Sequence, residues 1–321
     1  MMNTPMIEVK NLKKYFRTPR GNLYAVDDVS FTIERGMTLG VVGESGCGKS
    51  TLGRVLLRLL PHTSGQFLFD GTDVLQLDIE EMKELRKKIQ IIFQDPYGSL
   101  NPRFTTSQSI EEPLEILMPE LDANQRNARI MELMDTVGLA SRFVNAYPHE
   151  LDGGRRQRIG VARALAVNPE FIVCDEPVSA LDVSIQAQIL NLVMDLQEKM
   201  NLSYMFITHD LSVVKHISDE ILVMYLGQCI EKAPTEKLFS KPMHPYTQAL
   251  ISSIPLPDPR KQNRERHIIM GEVKSPIEPQ PGCRFAPRCP HKIDKCVGKN
   301  IPLLEVEQDH LLSCVVFGRE E

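Results

Sequence analysis

The segment Gly43–Ser50, which reads GESGCGKS, constrains the fold of this 321-residue chain more than any other feature. It matches the pattern G-x-x-x-x-G-K-[ST], follows the short apolar run TLGVV, and precedes KSTLGRVLLRLL, whose apolar residues have helical spacing. A strand, a glycine-rich turn and a helix in this order predict a phosphate-binding loop, because glycines let backbone N–H groups converge on phosphate oxygens. The predicted nucleotide-binding residues are Gly43, Glu44, Ser45, Gly46, Cys47, Gly48, Lys49, Ser50 and Thr51.

The chemistry of this loop predicts roles for its last residues. Lys49 is expected to reach the β- and γ-phosphates of ATP, and the Ser50 hydroxyl to bind Mg²⁺. The predicted helix that starts at Lys49 also favours anions at its N-terminus, because the helix dipole is positive at that end.

A second segment, FIVCDE, presents two adjacent carboxylates after four apolar residues. The apolar run predicts a buried strand, with Asp175 and Glu176 at its carboxyl end. Asp175 suits a Mg²⁺-holding role, and Glu176 can orient or deprotonate the attacking water. An Asp-Glu pair is elsewhere usually a solvated surface feature, but the apolar residues before this one argue against that interpretation.

Three further features narrow the class of nucleotide-binding protein. Gln94 lies in IIFQDP, between the two segments, and His209 ends the run YMFITHD. The stretch 151–158, LDGGRRQR, precedes the acidic segment. A single Gln or His carries little meaning alone. In this order, with Ser179–Asp182 (SALD) as a D-loop, they resemble the Q-loop, the switch histidine and the signature motif of the ABC ATPase family.

The resemblance covers roughly residues 5–235 and implies a head-to-tail dimer that binds two ATP molecules. Each ATP would lie between the phosphate-binding loop of one subunit and the signature motif of the other. In that scheme His209 contacts the γ-phosphate, and Gln94 links Mg²⁺ to the contact with a membrane subunit. Mg²⁺ is expected to bind Ser50, Gln94 and Asp175, and the expected catalytic residues are Glu176, His209 and Lys49.

The aromatic residue Phe16, with Tyr15 beside it, matches the family's platform for the adenine ring. Stacking of a base on such a ring contributes about 1–3 kcal/mol. The alternative interpretation of Phe16 is an ordinary core residue of a strand.

The signature motif departs from the family pattern Leu-Ser-Gly-Gly-Gln, because this chain has Asp152, Gly153, Gly154 and Arg155 after Leu151. The usual serine donates a hydrogen bond to the γ-phosphate of the partner's ATP, whereas an ionised Asp152 can only accept one. Repulsion between the two negative charges is about 4 kcal/mol at 4 Å and an effective dielectric constant of 20, which Arg155 and Arg156 can partly offset. We therefore expect a heterodimer with one competent and one weakened ATP site.

Composition excludes several other classes of protein. The net charge is −5 and the pI about 6.0, whereas a general nucleic-acid-binding protein is usually basic. No apolar run is long enough to span a membrane, and the N-terminal MMNTPMIEVKNLKKYF has no apolar core of a signal peptide. The expectation is a peripheral protein on the cytoplasmic face of the cell membrane that reaches the membrane through a partner.

The alternation of buried strands with helices predicts an α/β fold with a mostly parallel sheet. With the resemblance, this becomes a P-loop ABC cassette that has an antiparallel β subdomain, formed in part by strands over 6–35, and a helical subdomain at about 95–160. The predicted nucleotide-binding domain is 1–235. Residues 236–321 form the C-terminal extension, which consists of a proline-rich linker and a small irregular module. The prolines from residue 234 onward include Pro234, Pro242, Pro245, Pro255, Pro257 and Pro259.

The stretch 241–250, KPMHPYTQAL, is proline-rich and then helical in pattern. Its His244-Pro245-Tyr246 resembles the C-terminal extension of oligopeptide and dipeptide importer ATPases. The run VSALDVSIQAQILNL resembles the same subfamily, and of its two subunit types the chain is closer to the F type. The resemblance implies ATP-driven import of peptides, two membrane permeases, a second ATPase subunit and an extracytoplasmic peptide-binding protein. Nickel-chelate importers share the extension and are an alternative. A soluble ABC ATPase acting on DNA or ribosomes is another, although such proteins usually have two cassettes or a long coiled coil.

Four of the seven cysteines lie in the C-terminal module, at Cys283, Cys289, Cys296 and Cys314. Four thiolates can bind a [4Fe–4S] cluster or a zinc ion. The importer ATPases that the chain resembles carry a four-cysteine [4Fe–4S] site in this extension, whereas structural zinc usually requires a closely spaced Cys pair. Unliganded buried thiols are the remaining alternative, and His291 is a candidate substitute ligand.

Overall fold

A computed structural model describes residues 5–254, 269, 271 and 275–318 of the chain. It divides into two compact units. The first is drawn from Met1–Ile33, Thr38–Leu75 and Thr208–Glu321, and the second from Glu34–Met37 and Gln76–Ile207. Pro255, Pro257 and Pro259 of the predicted linker lie outside the described residues.

The described residues form twelve strands and ten α-helices. The strands are β1 (Ile7–Thr18), β2 (Gly21–Ile33), β3 (Thr38–Val42), β4 (Ser64–Phe69), β5 (Thr72–Asp73), β6 (Ile89–Ile92), β7 (Phe171–Asp175), β8 (Ser203–Ile207), β9 (Glu220–Tyr225), β10 (Gln228–Pro234), β11 (Leu304–Glu307) and β12 (His310–Leu312). The helices are α1 (Lys49–Leu56), α2 (Ile79–Lys88), α3 (Pro96–Ser99), α4 (Thr106–Leu117), α5 (Ala123–Thr136), α6 (Gly153–Leu165), α7 (Val183–Met200), α8 (Leu211–Ile217), α9 (Thr235–Ser240) and α10 (Pro245–Ser252).

Two sheets organise the first unit. One is antiparallel in the order β2-β1-β4-β5, which confirms the strands predicted over 6–35. In the other, β3 runs parallel to β9, and β10, β12 and β11 continue outward as antiparallel neighbours. All five residues of β3 are buried, as expected of a central strand that carries a functional loop at its carboxyl end.

The second unit contains a parallel run of strands and most of the longer helices. β7 pairs with β6 on one side and with β8 on the other, both in parallel, and every residue of β7 is buried. Helix α5 begins with a capping box between Asp122 and Gln125. The parallel strands predicted from the sequence are thus confirmed. No helix of the described residues is long and apolar enough to cross a membrane.

The chain after Pro234 is more ordered than its proline content indicates. Helices α9 and α10 follow directly, and β12 adds to the open edge of β10. Pro245 occupies the first turn of α10, where proline is favoured because its missing N–H has no helical partner. Tyr246 is fully buried, and its ring contacts those of Tyr225 and Phe285 edge-on, with centroids 4.8 and 5.4 Å away.

A buried carboxylate ties this C-terminal segment to β10. Glu231 has no exposed surface, and its Oε1 accepts hydrogen bonds from the Met243 N–H (2.8 Å) and lies 2.7 Å from His310 Nε2. Its Oε2 accepts a hydrogen bond from the His244 N–H at 2.9 Å. One side chain therefore satisfies buried groups from two separate parts of the C-terminal segment.

We expect Glu231→Ala to lower the free energy of unfolding by about 3–5 kcal/mol, because it leaves several buried donors without an acceptor. Urea titration followed by circular dichroism measures the change. Glu307→Ala is the matched control: Glu307 pairs with Lys237 and Lys241 at the surface, where solvent screens ion pairs, so its removal should change the free energy of unfolding far less. Equal effects of the two changes would contradict the structural role of Glu231.

Candidate nucleotide-binding site

The loop between β3 and α1 has the backbone conformation that its glycines permit. Gly43 and Gly48 have φ values of 153° and 108°, which other residues rarely adopt. A Cβ at Gly48 would lie 2.0 Å from the Ala25 carbonyl oxygen, and one at Gly43 would lie 2.2 Å from that of Met224. These two positions therefore exclude side chains, whereas the space beside Gly46 is open and Ser45 is exposed.

Lys49, the first residue of α1, is 4% exposed. Its Nζ donates hydrogen bonds to the carbonyl oxygens of Gly43 (2.8 Å) and Glu44 (3.1 Å). Because an ammonium group has three donors, it can also bind an anion held by the loop. Cys47 packs beneath, where burial raises the pKa of its thiol, and Ser50 and Thr51 follow Lys49 in the first turn of α1.

The acidic strand end belongs to the second unit. Asp175, the last residue of β7, is 1% exposed, and Glu176 follows with a φ of 48°. The Glu176 N–H donates to the Ile207 carbonyl at 2.9 Å. Its Oε2 accepts a hydrogen bond from Gln94 Nε2 at 3.1 Å. The structure thus brings together two predicted site residues that are 82 positions apart.

His209 lies in the first unit, exposed, in the turn between β8 and α8. The residues on either side fix this turn. The Thr208 N–H donates to the Val41 carbonyl at 3.1 Å, and the Asp210 side chain caps α8 by accepting from the Ser212 N–H. His209 is therefore presented by an anchored backbone beside the strand that precedes the glycine-rich loop.

The signature motif forms the N-terminus of α6 in the second unit. Asp152 is the N-cap residue: its Oδ1 accepts a hydrogen bond from the Arg155 N–H at 2.8 Å, and its Oδ2 pairs with the Arg155 guanidinium. Leu181 and Ile185 crowd the two glycines, since a Cβ at Gly153 would lie 3.0 Å from the former and one at Gly154 would lie 2.7 Å from the latter. The turn has the same backbone form that a capping serine would give.

The two aromatic candidates on β1 differ in their surroundings. The Tyr15 hydroxyl donates to Asp27 Oδ1 at 2.5 Å, and its ring lies 4.1 Å from that of Tyr24. Burial and the Asp27 carboxylate both raise the pKa of Tyr15. Phe16 is half-buried, with Lys14 Nζ 4.7 Å from the centre of its ring. Phe16 is thus not a fully buried core residue.

The four C-terminal cysteines are close enough to affect one another electrostatically. Burial raises the pKa of Cys283 to about 11, with the nearby Cys314 and Cys296 thiols acting in the same direction and the Phe285 N–H opposing them. The pKa of Cys289 is raised by burial and by the same two thiols. All seven cysteines are free thiols. Within residues 5–254 and 275–318, no group of three or more His, Cys, Asp or Glu side chains is arranged to bind a metal ion.

Some residues at the glycine-rich loop had no signal in the sequence analysis. Arg288 pairs with the Glu44 carboxylate, and the Tyr246 hydroxyl accepts a hydrogen bond from the Glu44 N–H. Tyr246 belongs to the His-Pro-Tyr segment, which the sequence analysis used to infer the transported cargo. That analysis gave no indication that Tyr246 contacts the glycine-rich loop. Arg288 lies in an irregular proline-containing stretch, where no spacing pattern indicates its partner.

Comparison with known proteins identifies the family. Residues 26–179 match the model of the ABC transporter family, and residues 230–296 match that of the oligopeptide/dipeptide transporter C-terminal region. The chain is 51% identical over 319 residues to the dipeptide transport ATP-binding protein DppF of Haemophilus influenzae, which covers 97% of each chain. The chain belongs to the ABC transporter ATP-binding family. It falls in the branch that carries the oligopeptide/dipeptide C-terminal region.

Other relatives and solved structures agree with this assignment. The oligopeptide transport ATP-binding protein AppF of Bacillus subtilis is 48% identical over 322 residues, which covers 98% of both chains. A dimeric ATP-binding cassette in a post-hydrolysis state bound to ADP and Pi is 30% identical, with a TM-score of 0.66 over 72% of this chain and 99% of the other. The fold is that of an ABC cassette, and the chain is an ABC ATPase.

We expect Glu176→Gln to retain ATP binding and to lower hydrolysis by the assembled complex at least about 100-fold, because an amide cannot accept the proton of the attacking water. Steady-state phosphate release and fluorescent-nucleotide binding measure the two properties. Glu198→Gln makes the same chemical change at an exposed position of α7 and should leave both unchanged. Turnover within about twofold of the wild type in Glu176→Gln would refute this role.

Proposed function

We propose that this chain is the ATP-hydrolysing subunit of a membrane ABC importer that takes up dipeptides or oligopeptides. Similarity to dipeptide and oligopeptide transport ATP-binding proteins along essentially the whole chain carries this proposal. The shared length includes the region after residue 235, which we treat as the importer extension 236–321 beside the nucleotide-binding domain 1–235. Two membrane permeases, a second ATPase subunit and an extracytoplasmic peptide-binding protein are the proposed partners, and no nucleic acid takes part.

Co-purification of the affinity-tagged chain from detergent-solubilised membranes of its native cell tests this function. Two permease subunits should co-purify with the tagged chain. The chain should sediment with membranes, bound at the cytoplasmic face, only in cells that contain these permeases. The purified complex in proteoliposomes should show ATPase activity that a dipeptide and its binding protein stimulate. If a nickel chelate stimulated the ATPase activity instead, nickel chelates rather than peptides would be the cargo. If the chain stayed in the soluble fraction together with nucleic acid, the proposal would be wrong.

The site residues have the donor types that Mg-ATP requires. Lys49 and the amides of the glycine-rich loop suit the phosphates, and Phe16 suits the adenine ring. The proposed Mg²⁺ ligands are the Ser50 hydroxyl, the Gln94 amide oxygen and the Asp175 carboxylate, all of them the oxygen donors that this cation prefers. Glu176 orients or deprotonates water, and His209 contacts the γ-phosphate. The Gln94–Glu176 hydrogen bond supports the assignment of the carboxylate to the attacking-water side.

We further propose that the importer contains two unlike ATPase subunits. The observation is the Asp152 carboxylate at the N-terminus of α6, in the motif that faces the partner's ATP. Its ion pair with Arg155 is largely exposed, with 56% and 42% of the two side chains accessible, and such pairs contribute only about 0–1 kcal/mol. The negative charge is therefore only partly offset. A partner with an ordinary signature motif would complete the site that this chain's own Lys49 and Glu176 serve.

The isolated chain should consequently hydrolyse ATP slowly, and Asp152→Ser combined with Arg155→Gln should raise its rate, because serine caps the helix as well and donates to phosphate. ATP turnover of the isolated chain against protein concentration measures the effect of dimerisation. The control is Asp122→Ser, which changes the N-cap residue of α5 away from the motif. Efficient, cooperative hydrolysis by the unchanged chain would contradict the model of two unequal sites.

The C-terminal thiols are proposed to bind one structural [4Fe–4S] cluster. Cys283 and Cys289 both lie within electrostatic range of Cys296 and Cys314. The backbone N–H groups of Phe285 and His291 lower the pKa of Cys283 and Cys289 respectively, which favours the thiolate form that a cluster requires. This donor set fits the cluster in composition, although the described residues are not arranged as a preformed metal site, so the proposal is that the cluster assembles the four thiolates. Bound metal would compensate the mutual repulsion of the thiolates and stabilise the fold of the module.

Anaerobically purified protein should be brown, with broad absorbance at about 400 nm and about four irons per chain, as a Cys₄ [4Fe–4S] site requires. Single Cys→Ser changes at Cys283, Cys289, Cys296 or Cys314 should lower the iron content while ATP binding persists. Cys229→Ser, in β10, is the control and should leave the iron unchanged. One zinc and no iron would reject the cluster in favour of zinc, and no metal at all would leave the thiols unliganded.

A further inference from the structure

Glu44, the second residue of the glycine-rich loop, is held from three sides. Its N–H donates to the Tyr246 hydroxyl at 2.8 Å, and its carbonyl oxygen accepts from Lys49 Nζ at 3.1 Å. Its carboxylate accepts two hydrogen bonds from Arg288: Arg288 Nη1 lies 2.9 Å from Glu44 Oε2, and Arg288 Nη2 lies 3.2 Å from Glu44 Oε1. The residue that presents a carbonyl to Lys49 is thus fixed by two side chains of the C-terminal extension.

The Arg288 contact has the geometry of a strong, directional ion pair. Two guanidinium nitrogens engage the two carboxylate oxygens, a fork that constrains orientation as well as distance. The Arg288 side chain is 9% exposed and that of Glu44 28%, so solvent screens the pair only in part. The hydrogen bonds to Glu44 raise the pKa of Arg288, and Nη1 also donates to the Tyr225 hydroxyl at 3.3 Å.

Rigid packing supports both of these side chains. Arg288 ends a short 3₁₀ turn that follows Phe285, and Phe285 is 1% exposed with its ring 5.3 Å from Tyr225 and 5.4 Å from Tyr246. Tyr246 lies in the first turn of α10, whose N-terminus His244 caps by accepting the Tyr246 N–H at 3.1 Å. Packing among the three aromatic rings holds the Tyr246 hydroxyl and the Arg288 guanidinium in fixed positions next to Glu44.

We propose that Tyr246 and Arg288 are positioning residues for ATP, which set the nucleotide-binding loop through Glu44 without contacting the nucleotide. Fixing the Glu44 carbonyl orients Lys49 Nζ, and pairing its carboxylate keeps an uncompensated negative charge away from the phosphates. The extension therefore supports the ATP site through Glu44, in addition to any role in cargo or assembly. The inference rests on the proposed binding of phosphate by Lys49, and it is independent of what the cysteines bind.

The predicted kinetic signature is a change in affinity with little change in turnover. A loop that is not held must be ordered when ATP binds, and that cost enters the dissociation constant. Once the phosphates occupy the loop they hold it themselves, so kcat at saturating ATP is retained. Loss of a uniform binding interaction raises KM without lowering kcat.

The minimal variants are Tyr246→Phe, which removes one hydroxyl and keeps the ring, and Arg288→Ala. Each should raise the Kd for a fluorescent ATP analogue bound to the full chain, and the KM of the assembled importer, by about five- to twentyfold, the range that loss of one hydrogen bond or charged pair produces. Arg288→Lys should restore part of the affinity, since it keeps the charge but not the fork. Lys241→Ala, which removes an ion pair to Glu307 in the same extension, is the matched control and should bind ATP normally.

A double-mutant cycle separates this role from a general effect on folding. If Arg288 acts through Glu44, Glu44→Gln combined with Arg288→Ala should bind ATP no more weakly than Arg288→Ala alone, because the charge left unpaired by the single change is removed. Affinity losses that multiply would overturn the proposal. The proposal would also be wrong if the folded Tyr246→Phe variant bound ATP with a Kd within about twofold of that of the wild type.

Lys49→Ala distinguishes the two levels of the argument. If Lys49→Ala abolishes binding while the Tyr246 and Arg288 variants bind normally, the ATP site stands and the positioning role fails. If Lys49→Ala also binds normally, the proposed ATP site is itself wrong, and with it the role of Glu44.

Discussion

The carbonyl oxygens of Ala25 and Met224 approach the loop after β3 so closely that only glycine fits at Gly48 and Gly43. This steric limit fixes where β3 ends and where α1 begins. It also places Lys49 at the first turn of a helix whose N-terminal field favours anions. The position of the loop therefore depends on β2 and β9, which supply the two carbonyls, as much as on its own residues.

Local patterns made this part of the molecule predictable. A glycine motif between an apolar strand and a helix, and an acidic pair after four apolar residues, are features of neighbouring residues, and the structure has β3, α1 and β7 where they indicated. The Gln94–Glu176 contact joins residues 82 positions apart, and only the family resemblance suggested that both belong to one site. The contacts of Tyr246 and Arg288 with Glu44 span 202 and 244 positions, and no periodicity or spacing encodes them. Proline content indicated a linker after Pro234, with a helical stretch before residue 250, and α10 does begin at Pro245, because proline is favoured in a first helical turn.

Asp152 illustrates a change that local structure conceals. Aspartate and serine both cap helices through a side-chain oxygen, so α6 begins normally and its backbone does not reveal the substitution. What differs is charge and hydrogen-bond polarity, which would matter to the ATP that the proposed dimer places opposite the motif. Consequently the sequence, compared with the family pattern, is more informative here than the shape of the helix.

Two arginines in the cysteine-containing loop suggest how the extension contributes to the ATP site. Arg284 pairs with Asp27 and donates to the Leu226 carbonyl, while Arg288 pairs with Glu44. Both guanidinium side chains are mostly buried, at 6% and 9% exposure. The free energy needed to remove these charged groups from water offsets most of the attraction between them. A buried ion pair therefore adds little net stability, but it strongly constrains the geometry of the groups it joins. The proposed positioning role therefore predicts that the loss of either arginine pair changes ATP affinity more than it changes the stability of the first unit.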